Sequence, residues 1–472
     1  MQDQTCLPRR ALIFRWISAR LLGFCVALSL MAAAASSQTL SDSDRAALEQ
    51  KKSDLFAQML RDPSNLDITF GYADTAAKLG DNEAAVSALE RMLLFNSSLP
   101  RVDLELGALY FRMGSFDVAR SYFDKAAAAN PPAEVLARIA EYEAQIGNQQ
   151  STSQFSGSFF VGAQYQSDAN VAPGSPLIHS PVGDVLLSQQ FVKQRDVNLF
   201  ASGSVLYSYD LGNQDRDAVE ITASGFANSY FHFVHLNLDL GEVTAGPRLH
   251  FPDPPLPWVQ SATLRPYVIL NEVGLGENQY FHTYGTGLEA TAVLPADLQL
   301  RSAFEFRQKY FTNAPDRPLS KGLNGNDKLV SLSLSKLITE NSTLNLQLDY
   351  LDQDTSFGFY SNKTYAAALS YRIRYADPTG LLSIPLETTV FGSRSYAYYN
   401  LPDPCCNTSG TTAAASFSDR FDRHWRFGVT QTFQITPTFA VVAQLQRDIV
   451  SSNLSIYAYT TNSALIGAQI KF

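Results

Sequence analysis

A multidomain α + β chain is predicted, with N-terminal α-helical repeats followed by an antiparallel transmembrane β-barrel of about fourteen strands. Three observations predict it. A basic then apolar leader ends in small residues, a 34-residue period runs through the helical part, and apolar and polar residues alternate from Phe155 to Phe472.

The leader comes first. Arg9, Arg10, Arg15 and Arg20 precede an apolar stretch from Leu21 to Ala33, and Ala33, Ala34 and Ala35 lead into Ser36, Ser37 and Gln38. A short apolar core with basic residues before it and small residues after it is the pattern of a secretory signal peptide, here residues 1–37. A retained anchor helix is the competing reading. Cys25 follows Phe24 within the apolar core, which does not fit a lipoprotein cleavage box.

Composition fits export to a membrane surface. Charged residues make up 17% and aromatic residues 12% of the 472 residues. Mean hydropathy is only −0.10. Past the leader, no apolar run approaches the roughly 20 residues that a membrane helix needs. The chain carries −9 in total and the leader +3 (four Arg against one Asp), so the remainder carries −12. Nucleic acid is excluded as a partner, because it needs a basic face.

Residues 38–150 read as a helical-repeat domain. Gly107, Tyr110, Gly114, Phe116, Ala119, Phe123, Ala126 and Pro131 fall at tetratricopeptide-repeat spacing. A shift back by 34 places Ala73, Gly80, Ala85, Leu89 and Asn96 opposite Gly107, Gly114, Ala119, Phe123 and Asn130. Small residues are needed where two helices cross closely, and an aromatic fills the groove between them. About two and a half repeats result, near the minimum for a stable stack. Tyr72, Tyr110 and Arg112 are candidates for the groove or for packing, with packing favoured for the tyrosines. A polar linker is expected from Gly147 to Ser153.

Residues 151–472 read as the barrel. Leu344, Leu346, Leu348 and Tyr350 alternate with Asn345, Gln347 and Asp349. Val330, Leu332 and Leu334 alternate with serines, and Leu298, Leu300, Phe304 and Phe306 with charged or amide residues. Fourteen such segments begin near Gly157, Lys193, Asp217, Leu236, Ala262, Tyr280, Leu298, Asp327, Ser342, Tyr360, Leu386, Phe421, Thr438 and Ile456. An even count puts both barrel ends on one side. Tight turns at Leu294–Asp297, Ile338–Ser342 and Ile435–Thr438 follow even segments. Long loops at Asn170–Gln190, Thr312–Asn326 and Asn400–Arg420 follow odd ones. Pro252–Trp258 is a longer turn on the short side. This asymmetry predicts an outer-membrane barrel whose N-terminus faces the periplasm.

The last strand carries Gly467, Ile470 and the terminal Phe472 at the spacing of a barrel-assembly signal, and Tyr457 and Tyr459 at its other end suit an aromatic girdle. Inward-facing charges are expected at Arg301, Glu305, Arg307, Lys309, Arg372, Arg374, His424 and Arg426, because charge is costly towards lipid. Two readings stand for them: ion pairs that hold the barrel closed, or the lining of a conduit. Cys405 and Cys406 are adjacent in a loop, where they form a vicinal disulfide or stay as free thiols. No catalytic constellation is visible. His232 and His235, read as three apart in one strand, point to opposite faces and share no metal. No cofactor and no enzymatic activity is expected.

Two stretches resemble the surface lipoprotein assembly modifier (Slam) family. The first is Leu104 to Phe123, followed by Phe155 to Ser158 and Tyr165 to Gly174. The second is Asp422, Arg423, Trp425 and Arg426, then Arg447, Asp448, Ser452 to Leu454, Tyr457 to Tyr459, and Gly467 to Phe472. One departure is Asp168, where the family pattern expects asparagine. The resemblance implies a periplasmic repeat domain preceding a fourteen-stranded barrel in the outer membrane of a Gram-negative bacterium. It implies delivery of client lipoproteins or secreted proteins to the cell surface, with outer-membrane lipids and the barrel-assembly machinery as further partners. The alternative is a polysaccharide-export or general diffusion porin.

Overall fold

The computed structural model describes residues 42–472 except 63, 181–182, 189–191, 214, 253, 255, 379, 381–383 and 403–418. The leader and the Cys405–Cys406 pair lie outside the described residues. The chain divides into two compact units, one ending at Ser151 and one running from Thr152 to Phe472.

Among the described residues the first unit has six helices: α1 (Asp42–Arg61), α2 (Leu66–Lys78), α3 (Asn82–Phe95), α4 (Pro100–Arg112), α5 (Phe116–Ala128) and α6 (Ala133–Gln150). The 34-residue period is visible in the helix starts, since α2 and α4 begin at positions 66 and 100, and α3 and α5 at 82 and 116. Local chemistry fixes these boundaries. Asn65 caps α2 by accepting the Asp67 and Ile68 N–H groups, and Asp81 caps α3 through Ala84. Pro100 opens α4, where its missing N–H costs nothing. Gly80 and Gly114, also 34 apart, turn each hairpin at φ +81° and +75°, a region that favours glycine. Two full helical hairpins are thus flanked by one helix on each side. The linker is shorter than the sequence predicts: α6 runs through Gln150 and the next strand starts at Ser153. The helix continues through Gly147, and Ile139 and Ile146 bury its apolar face in the core up to that residue.

The second unit has sixteen strands: β1 (Ser153–Gln166), β2 (Leu177–Ser180), β3 (Gly183–Leu186), β4 (Asp196–Asp210), β5 (Ala218–Tyr230), β6 (Leu238–Phe251), β7 (Ser261–Leu275), β8 (Asn278–Leu294), β9 (Leu298–Phe311), β10 (Gly325–Thr339), β11 (Ser342–Thr355), β12 (Asn362–Ala376), β13 (Pro385–Tyr399), β14 (Phe421–Gln434), β15 (Phe439–Ser452) and β16 (Tyr459–Lys471). Fourteen of them form one closed antiparallel barrel, and β2 and β3 pair as a separate hairpin. β1 closes on β16 with Gly162 opposite Gly467, and Gly157 and Phe472 exchange main-chain hydrogen bonds at 2.8 and 3.1 Å. Closure removes every free sheet edge, which is what allows strands to lie in lipid.

Two connections differ from the sequence reading. The loop after β1 contains the β2–β3 hairpin, too short to announce itself by alternation. The link between β7 and β8 is only Gly276 and Glu277, a tight turn on the long-loop side, made possible by Gly276 at φ +61°. Length parity therefore holds for the turns after β8, β10 and β14 but not for every connection.

The barrel's outer wall is apolar. Leu199, Val268, Leu288, Phe304, Val330, Leu348, Leu369, Val390, Phe427, Leu445 and Ile466 are all exposed, and all sit on the outward phase of their strands. Eleven large apolar groups placed in water would be a severe liability for a soluble chain. No described helix is long and apolar enough to cross a membrane, so any crossing is by the barrel strands.

Candidate functional site

The inward phase of the strands builds a polar wall, and its bonds prove the direction. Arg307 on β9 donates to Glu242 on β6 at 2.6 Å, with two strands between them. Only the concave side brings such residues together. Arg307 also donates to Glu305 at 2.7 Å, and the Tyr267 hydroxyl on β7 donates to the same carboxylate at 2.7 Å. Arg248 on β6 and Arg265 on β7 both meet Glu220 on β5, at 2.6 and 3.1 Å. Arg301 meets Glu289 at 2.6 Å, and Lys309 is paired with Asp327.

A second polar group occupies β14 and β15. The Asp448 carboxylate, 1% exposed, accepts from Arg426 at 2.7 Å and Gln446 at 2.6 Å and lies 2.9 Å from His424. Arg374 donates to Glu387 at 2.7 Å, and Arg372 shares its inward phase on β12. The structure therefore places Arg301, Glu305, Arg307, Lys309, Arg372, Arg374, His424 and Arg426 on the lumen side. Arg301, Glu305, Arg307, Lys309, Arg374, His424 and Arg426 meet partners of opposite charge type there. Such pairs stabilise wall geometry, because leaving one member unpaired costs more than the pair itself gains.

The loop end is braced on two sides. Leu238, Val273, Leu275, Tyr280, Phe281, Phe311, Leu323 and Tyr360 form one apolar cluster. Arg317, 1% exposed, donates to the Leu275 carbonyl at 2.8 Å and lies 5.1 Å from the Tyr280 ring centroid. Across the barrel, Arg420 lies 3.3 Å from the Tyr457 ring centroid and 4.6 Å from that of Tyr399 while bonding Asp422 at 2.5 Å. Tyr457 and Tyr459 are therefore not an outward girdle: they are 9% and 5% exposed. The strand starts later than expected, which puts Tyr457 in a 3-10 turn and Tyr459 on the inward phase. His232 and His235 likewise lie beyond the end of β5, at Tyr230. His232 pairs with Asp196 at 2.9 Å. Among the described residues no group of His, Cys, Asp or Glu is placed to hold a metal. Asp168 accepts the Ala172 N–H at 3.1 Å, a bond that an asparagine oxygen would make equally well.

In the repeat unit, Gly107 is covered by the ring of Phe123: a Cβ there would lie 2.6 Å from ring carbons. Phe123 and Ala119 are fully buried. Tyr72 is 9% exposed and packs on Phe56 at 5.8 Å. Tyr110 donates to Glu90 at 2.6 Å and stacks on Tyr122 at 5.6 Å. The hydrogen bond to Glu90, with some burial, pushes the Tyr110 hydroxyl up to about 12. The tyrosines thus serve packing, and Arg112 stands exposed at the end of α4. Sequence reasoning missed Glu90, Glu220, Glu242, Glu289 and Asp327, and it named Asp448 only as part of a motif, not as a partner of Arg426. The signal was present as acids on the inward phase of neighbouring strands, but partners are assigned only by register.

At the barrel seam, the Phe472 ring lies over Gly157, where a Cβ would approach it to 2.8 Å. Gly467 faces Gly162, and Ile470 is outward and exposed.

No protein-family model and no curated protein matches the chain. Among solved structures it is similar to MamA, at 17% identity over 22% of this chain and 58% of that one, with a TM-score of 0.21. It is similar to the type III secretion chaperone SycD of Yersinia enterocolitica in complex with a peptide of the translocator YopD, at 16% identity over 23% and 86%, TM-score 0.22. It is similar to a loop-deletion mutant of OmpT, an outer membrane protein of Vibrio cholerae, at 7% identity over 68% and 100%, TM-score 0.34. The chain spans little more than half of the length of MamA. The architecture rests on its own strand register and helix period.

Proposed function

We propose that this chain is a non-enzymatic outer-membrane factor that assists the surface display of client proteins, lipoproteins among them, and that it acts as the Slam-like motifs imply. The observation that carries this reading is the pairing, in one polypeptide, of a repeat unit with a closed barrel whose outer wall is apolar. A diffusion porin has no need of the repeats. In this reading residues 1–37 direct export and are removed. The repeat unit, residues 38–150, lies in the periplasm and holds the client. The barrel end at which its first strand begins and its last strand ends faces the periplasm. Gly467, Ile470 and Phe472 serve recognition by the barrel-assembly machinery. The ion-paired lumen wall keeps the barrel round while clients pass or fold beside it, and the arginines that line it contact them.

Gene deletion followed by protease shaving of intact cells tests the reading. Loss of surface-exposed lipoproteins, restored by the full chain but not by a barrel lacking residues 38–150, is expected. Unchanged exposure in the deletion strain overturns it.

A further inference from the structure

Among the described residues, β1, β4 to β9 and β16 direct no lysine or arginine outward: the basic residues they contain occupy the inward phase. β10 and β12 turn out Lys328, Lys336 and Lys363, and Lys328 meets outward Asp352 at 3.8 Å. The three strands that follow turn out arginines. Arg394 on β13 pairs in register with outward Trp425, Arg423 on β14 shares the phase of Trp425 and Phe427, and Arg447 on β15 shares that of Leu445. Trp425, Phe427 and Leu445 are 44%, 47% and 61% exposed, which fixes all three arginines on the lipid side.

Their height is as particular as their direction. Each lies in the loop half of its strand. On the same three strands the opposite half turns out Val390, Val429, Phe433, Phe439 and Val441, with only the mutually bonded Thr388 and Gln431 as polar residues of that phase on β13 and β14. A basic residue facing lipid is costly at mid-depth and nearly free where headgroups begin. All three lie on the loop side of mid-strand, Arg423 nearest the loops, where that cost is lower.

Their surroundings leave their donors unused. The Arg394 guanidinium lies 4.3 Å from the Trp425 ring centroid and 4.8 Å from that of Tyr396. Its Nε is buried and has no hydrogen-bond partner. None of the three has a carboxylate partner among the described residues, in contrast to the lumen arginines. An arginine near aromatic rings and without a carboxylate partner keeps its donor fork available for an oxyanion such as phosphate. Strand spacing of about 4.8 Å and a same-face step of about 7 Å spread the three positions over roughly 10 Å. That is wider than one phosphate.

We propose that this patch binds a phosphorylated lipid of the leaflet at the loop end, with more than one phosphate on its headgroup and its acyl chains against the apolar wall below. The proposal rests on the outer-membrane reading of the barrel. Native mass spectrometry of the full chain in detergent, titrated with bis-phosphorylated lipid A, tests it. The unmodified protein is expected to retain lipid A about tenfold or more better than the triple variant Arg394→Gln, Arg423→Gln, Arg447→Gln. The triple lysine variant retains most of it, and the lumen variant Arg301→Gln is unaffected. Equal retention by the glutamine variant overturns the proposal. So does equal loss in Arg301→Gln, or full displacement by inorganic phosphate alone. Heat-modifiable gel mobility, read on every sample, reports the barrel separately: an unmodified chain that migrates identically with and without heating sinks the membrane reading itself.

Discussion

The inner and outer walls of the barrel are made by the same strands, yet they treat charge in opposite ways. Inside, Arg248, Arg265, Arg301, Arg307, Arg374 and Arg426 each meet a carboxylate. Outside, Arg394, Arg423 and Arg447 meet aromatic rings or nothing. The difference teaches that alternation assigns a face but not a role. The lumen arginines are balanced by carboxylates of the wall itself; on the outer wall Lys328 has such a partner in Asp352, but the three arginines of β13 to β15 have none among the described residues. The repeat unit supplies a third case, a conventional dry core in which Phe123 sits on Gly107.

Substitutions that disturb each wall sharpen this contrast. The largest effect is expected at Asp448, where Asp448→Ala leaves Arg426 and His424 without their shared carboxylate and costs about 3–5 kcal/mol, measured by denaturant unfolding of the vesicle-inserted barrel. A loss below 1 kcal/mol would mean that the lumen wall is fully hydrated and its pairs ornamental. Next is Leu348→Arg on the outer wall, about 2–4 kcal/mol near mid-depth, while Ser333→Arg on the inward phase of β10 should cost less. Equal costs would erase the distinction between the walls. In the repeat unit, Gly107→Ala forces a Cβ against the Phe123 ring and is expected to cost about 1–3 kcal/mol, followed by circular dichroism.

The smallest effect is at Tyr110. Its hydroxyl is raised from 10.0 to about 12 by the bond to Glu90. An unfolded tyrosine loses its proton first, so the stability this bond contributes is complete below pH 10 and is lost as pH rises from there through about 12. Tyr110→Phe should flatten that part of the alkaline stability profile of the repeat unit; an unchanged profile would show that the bond does not form.

Much of this architecture was legible in the sequence. The starts of β9, β11 and β14 were read to the residue, at Leu298, Ser342 and Phe421, because tight turns or alternation frame them. The 34-residue period was legible because Gly80 and Gly114 are required by the same left-handed turn. The rest depends on register. Tyr457 and Tyr459 read as a girdle, but Arg420, distant in sequence, draws Tyr457 inward. The Gly276–Glu277 turn escaped notice because the flanking apolar residues, Val273, Leu275, Tyr280 and Phe281, belong to a loop-end cluster and not to a lipid face. Arg394 lies between Ser393 and Ser395, where alternation is silent about which face is which.

Every proposal made for the outer wall assumes that it touches acyl chains. Single-tryptophan forms, with Trp16, Trp258 and Trp425 changed to phenylalanine, allow neighbouring positions to be compared by quenching from lipids brominated along the acyl chain. Leu348→Trp should be strongly quenched and Gln347→Trp, one residue away on the lumen phase, hardly at all. Equal quenching of the two, or none at Leu348→Trp, would contradict a membrane-spanning barrel with this inside and this outside.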